Sequence, residues 1–140
     1  MKRVMFASLF FLVLFSACSE EEKKLELFSP DAFAFQLENG WELNASVRVK
    51  GFTLQEEDDK YEARLSYYVN LVLPSGETLE EITSDIVTQE SDEEIKELGI
   101  DIQVELDSSY KLGEYNLIFY MADDYTGKET SIDKKFELSE

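Results

Sequence analysis

The sequence predicts an all-β protein, a single antiparallel β-sandwich of about seven strands with one short helical turn in a crossover. Apolar residues recur at every second position in segment after segment, turn residues separate those segments, and only one short stretch carries helical spacing.

The strands follow in order. Phe33, Phe35 and Leu37 alternate with Ala34 and Gln36, and Trp41, Leu43, Ala45, Val47 and Val49 alternate with Glu42, Asn44, Ser46, Arg48 and Lys50. Tyr61, Ala63, Leu65, Tyr67, Val69, Leu71 and Leu73 hold one phase over a long run. Ile100, Ile102, Val104 and Leu106 form the next segment, and Tyr115, Leu117, Phe119 and Met121 another. Ile132, Lys134, Phe136 and Leu138 close the chain with a weaker pattern. One apolar phase per strand implies a sheet with one face on the core and the other in water.

Turn chemistry fits between these runs. Asn39-Gly40 precedes Trp41, Glu56-Glu57-Asp58-Asp59 makes a solvated hairpin tip, and Pro74-Ser75-Gly76 joins a φ-fixing Pro to a Gly that tolerates positive φ. Asp123 to Lys128 links the last two strands, and Gly51 suggests a bulge before Phe52 and Leu54. The helical turn is expected at Ser91–Leu98, with Ser91 and Glu94 as a capping box, Ile95 and Leu98 as its apolar edge and Gly99 as its stop. No internal repeat occurs, and no linker is long enough to divide the chain into two domains.

Composition narrows the function. Among 140 residues, 13 are basic and 31 acidic, for a net charge of −18, with no His and one Cys. The usual neutral-pH proton shuttle is therefore missing, and a disulfide or a thiolate metal site cannot form within the chain. A charge of this sign opposes nucleic acid, so no nucleic-acid partner is expected. No activated nucleophile, phosphate-binding glycine loop or distinct carboxylate dyad is visible, and the chain reads as a non-enzyme.

The N-terminus sets an expectation of compartment. Lys2 and Arg3 precede an apolar run from Val4 to Phe15, which is too short for a membrane span and suits a signal-peptide core. Phe15-Ser16-Ala17-Cys18 resembles a bacterial lipobox, with Phe15 standing where Leu is commoner. The resemblance implies cleavage of residues 1–17 and acylation at Cys18, with a membrane partner through that lipid anchor. Two or more acyl chains hold a protein stably at a bilayer. Cleavage takes two of the 13 basic residues and none of the 31 acidic ones, so 11 against 31 leaves −20. The next residues, Ser19-Glu20-Glu21-Glu22-Lys23-Lys24, resemble the start of an outer-membrane lipoprotein of a Gram-negative bacterium. Their acidic cluster resembles a surface-export signal, which implies exposure at the cell surface. The resulting division is a signal peptide at 1–17, an acidic tether at 18–30 and a sandwich domain at 31–140.

The C-terminal half resembles an immunoglobulin-like or fibronectin-like sandwich. The residues that carry this are Leu112-Gly113-Glu114-Tyr115-Asn116-Leu117, the Asp123–Lys128 hairpin and Phe136-Glu137-Leu138. The resemblance implies that Tyr115 is a tyrosine-corner residue whose hydroxyl ties back to upstream backbone.

Two candidate sites remain. Tyr68, Val72, Ile118 and Tyr120 break the polar phase of two strands that pair if the sandwich is immunoglobulin-like, and would form an outward aromatic patch for a protein or glycan partner. The alternatives are that the segment around Leu25, Leu27 and Phe28 covers this patch, or that the surface simply tolerates these tyrosines. Asp58, Asp59, Asp123 and Asp124 sit on loop tips where calcium could bind, although no Asp-x-Asp-x-Asp-Gly loop is present. No other cofactor is expected. The functional expectation is a membrane-anchored binding module, with a structural subunit of an envelope transport or secretion complex and a calcium-stabilised adhesin as alternatives.

Overall fold

A computed structural model describes residues 24–140 as eight strands, with no helix among the described residues. They are β1 (Glu26–Leu37), β2 (Gly40–Lys50), β3 (Gln55–Glu57), β4 (Lys60–Val72), β5 (Thr78–Ser91), β6 (Glu97–Asp107), β7 (Gly113–Asp123) and β8 (Glu129–Leu138). One sheet has the order β1-β2-β6; the other runs β5-β4-β7-β8, with β3 on the β7 side of the start of β4. Every pairing is antiparallel. The chain changes sheets three times, after β2, β5 and β6, which gives the strand exchange of an immunoglobulin-like sandwich. The expected signal peptide at 1–17, Cys18 and the first part of the expected tether lie outside the described residues.

The core is the meeting of two alternating faces. Leu43, Val47 and Val49 of β2 and Ile100, Ile102 and Leu106 of β6 are buried against Leu65, Val69 and Leu71 of β4 and Leu117 and Phe119 of β7. Tyr115 closes the far end of this core. Its hydroxyl donates to the Lys111 carbonyl oxygen at 2.6 Å, the tie expected of a tyrosine corner, and its ring stacks on Phe136 at 5.4 Å.

Four local expectations are corrected. Ser91–Leu98 is not helical: β5 runs to Ser91, the Ser91 Oγ accepts the Glu93 N–H at 3.1 Å, and β6 begins at Glu97. A single helical turn has a costly nucleus and would bury only Ile95 and Leu98. Extended, Leu98 instead pairs with Val49 and continues the buried series into Ile100 and Ile102.

Secondly, β1 begins inside the expected 18–30 tether, and Leu25 and Leu27 are core residues. Thirdly, the apolar phase Phe33, Phe35, Leu37 faces outward, at 46%, 56% and 41% exposure, while Ala32 and Ala34 face the core. The cause is a bulge. Ser29 and Pro30 oppose the single Val47, with Ser29 at φ +50°, so the inward face switches from odd residues before the bulge to even residues after it. Fourthly, Gly51 lies just past the end of β2 and makes no bulge in the ladder. At φ +78° it turns the chain toward β3, and a Cβ there would lie 1.9 Å from the Lys24 carbonyl oxygen.

Strand β5 has no clean alternation because it is an edge strand with both faces partly in solvent. Opposite Asn70 it carries three residues, Glu80 to Ile82. Glu81 adopts φ +52° and donates its N–H to Asn70 Oδ1 at 2.8 Å.

Candidate functional site

The register of the four-strand sheet builds the site. Tyr68 on β4 is directly opposite Tyr120 on β7, so the two side chains leave the sheet on the same face. Their rings stack at 4.7 Å with planes 10° apart. Ser84 on β5 and Ser131 on β8 complete this row. The neighbouring row is Ile86, Ser66, Ala122 and Glu129, again one residue per strand. Small side chains at Ser66 and Ala122 beside two large rings leave a trough of about 410 Å³ running across the strands. Its lining includes Glu81, Asp85 and Glu129 and contains no Lys or Arg.

Tyr68 is 42% exposed and Ile86 54%. Ile118 and Val72 lie on the same outward face, half-buried, opposite Asn70 and Asn116. All four residues singled out in the sequence thus share one surface. The segment around Leu25, Leu27 and Phe28 does not cover it, since that segment pairs with β2 in the other sheet and its two leucines are in the core. Ile86 is the residue that alternation misses. The signal available was the density of β-branched residues in Ile82-Thr83 and Ile86-Val87-Thr88.

The row beside the trough is fixed by carboxylates. Asp124 accepts the Ser66 hydroxyl at 2.8 Å and pairs with Arg64 at 3.5 Å. Asp123 is 1% exposed. Its Oδ2 accepts the Thr53 N–H at 2.7 Å and its Oδ1 the Tyr125 N–H at 3.0 Å, which ties the loop after β2 to the β7–β8 hairpin. Tyr125 in turn donates its hydroxyl to Glu62 Oε1, and that bond, followed by burial and the Glu62 charge, raises its pKa to about 12. On the inner side of β4, burial and then the Asp85 charge raise the pKa of Tyr67.

These bonds bear on the calcium candidates. The carboxylates of Asp123 and Asp124 are already engaged with backbone N–H groups, Ser66 and Arg64. Asp58 and Asp59 form the two-residue β3–β4 turn with φ of +52° and +64°, the pattern of a type I′ hairpin. Among the described residues no group of three or more acidic side chains converges to hold a metal ion.

No family model matches the chain, and no curated protein matches it. Among solved structures, it is similar to a family 123 glycoside hydrolase from Clostridium perfringens, studied for glycolipid glycan hydrolysis. The identity is 13% and the TM-score 0.50, over 82% of this chain and 27% of that one. It is also similar to the structural-genomics target SoR45, with 12% identity and a TM-score of 0.45, over 82% of this chain and 85% of that one. The first likeness shows the sandwich fold and no more; this chain spans about a quarter of the hydrolase's length.

Proposed function

We propose that this protein is a lipid-anchored, non-enzymatic binding module of a Gram-negative outer membrane, displayed at the cell surface, which holds a partner on its Tyr68–Tyr120 face. The observation that carries this reading is the stacked tyrosine pair, with Tyr68 exposed and Tyr120 half-buried, at the centre of a four-strand sheet beside a trough. Tyr is favoured at interfaces because it offers large contact area with a polar tip at low entropic cost.

The lipid anchor rests on the lipobox resemblance at Cys18. Ser19–Lys24 would then span at most roughly 20 Å at about 3.3 Å per residue before the chain enters β1. The domain would stand near the bilayer, and its negative charge would hold it off anionic headgroups. The non-enzymatic reading is supported by the absence of His and by the structural engagement of Asp123 and Asp124.

Two measurements test the proposal. Cys18→Ser is expected to move the protein from the membrane fraction to the soluble one, and retention in the membrane would contradict the anchor. Protease treatment of intact cells is expected to digest the domain; full protection would place it inside the outer membrane and favour an envelope-complex subunit.

A further inference from the structure

The trough has a shape and a charge that select among ligands. We propose that its occupant is a basic, extended segment of a partner protein, with Lys or Arg side chains resting against the Tyr68–Tyr120 wall and paired with the carboxylates at its ends. This rests on the tyrosine face being the binding surface.

The trough crosses four strands from Ile86 on β5 to Glu129 on β8, about 14 Å at roughly 4.8 Å per strand spacing. An extended peptide covers that distance in four residues at about 3.3 Å each, and residues i and i+4 then point to the same side. Both ends of the trough are acidic, with Glu81 at the β5 end and Glu129 at the β8 end; Asp85 pairs with Tyr67, so its side chain lies on the other face. Two cations spaced i to i+4 on an extended segment therefore match the two ends. The floor of Ser66 and Ala122 leaves room for a backbone, and the tyrosine wall supplies aromatic faces that attract cations. The nearest basic side chain in the adjoining row, Arg64, is paired with Asp124 at 3.5 Å and does not line the trough. The chain's net charge of −18 draws cationic partners at long range and repels anionic ones.

A domain this acidic attracts any polycation weakly, so the test must separate the trough from total charge. The probe is a fluorescein-labelled octapeptide of alternating Arg and Ser, followed by anisotropy at low salt against the full chain in a neutral detergent. Glu81→Gln with Glu129→Gln is expected to weaken binding about tenfold, on the order of 1.4 kcal/mol. Asp58→Asn with Asp59→Asn removes the same two charges at a distant turn, and is expected to change binding less than about twofold. Tyr68→Ala with Tyr120→Ala, at unchanged net charge, is expected to weaken it about tenfold as well. Equal losses from the two charge-matched pairs, indifference to the tyrosines, or no binding at all would overturn the proposal. If the carboxylates prove indifferent but the tyrosine pair still governs capture of a cell-envelope partner, the binding face stands and the basic occupant falls.

Discussion

Exposed aromatic side chains occur in two places on this sandwich, and they differ in direction. On β1, Phe33, Phe35 and Leu37 run along a single edge strand, with Phe33 and Phe35 edge to face at 5.1 Å. Their cross-strand neighbours on β2 are Asn44, Glu42 and Gly40, so the apolar stripe ends after one strand. On the other sheet, Ile86, Tyr68 and Tyr120 lie across three adjacent strands, and small residues in the next row turn the arrangement into a trough. A stripe along a strand stays a ridge, whereas aromatics in register across strands create concave surface. Concavity with a few polar groups is what a binding site needs.

The two regions also differ in origin. The β1 stripe is a product of the bulge at Ser29–Pro30, and the most severe test exchanges its faces. Ala32→Asp places a charge against Ala45 in the core and is expected to cost about 3–5 kcal/mol, whereas Phe33→Asp next to it should cost less than about 0.5 kcal/mol. Denaturant unfolding of the two variants checks this, and the reverse order of costs would mean that the bulge does not switch the face.

The tyrosine trough depends on the hairpin between β7 and β8, which Asp123 pins. Asp123→Ala leaves the Thr53 and Tyr125 N–H groups without that acceptor, and is expected to lower stability by about 2–3 kcal/mol. A loss under about 0.5 kcal/mol would show that the carboxylate is replaceable. A double-mutant cycle on Tyr68 and Tyr120 should return a coupling of about 1 kcal/mol, and one on Phe33 and Phe35 about 0.3 kcal/mol. Equal couplings would remove the energetic distinction between the two patches.

The smallest effect is at alkaline pH. Tyr125 is neutral in the folded state up to about 12, against an ordinary value of 10.0. Because the folded pKa is the higher one, its contribution is present below pH 10 and is lost as pH rises from 10 toward 12. Tyr125→Phe should therefore flatten the decline in melting temperature over that interval, and an unchanged decline would assign it to other groups.

Much of this was legible in the sequence. The strands from Trp41, Tyr61, Ile100 and Tyr115 onward show clean alternation because each has one face on the core. Tyr68, Val72, Ile118 and Tyr120 stand out as breaks in that alternation, and the structure puts them on one surface. Three features were not legible, each for a physical reason. An edge strand such as β5 has no single buried phase to reveal it. A one-residue bulge reverses a strand's faces without altering its pattern. Ser91–Leu98 carries local capping signals that a long-range ladder with β2 overrides.

A partner held on the tyrosine face, and not on the β1 ridge, makes the two surfaces respond differently to added charge. Proximity crosslinking on intact cells tests it most directly, comparing Tyr68→Glu plus Tyr120→Glu with Phe33→Glu plus Phe35→Glu. The tyrosine pair is expected to abolish the crosslinked partner at unchanged melting temperature, while the phenylalanine pair leaves it in place. A partner retained by the tyrosine variant and lost by the phenylalanine variant would contradict that expectation.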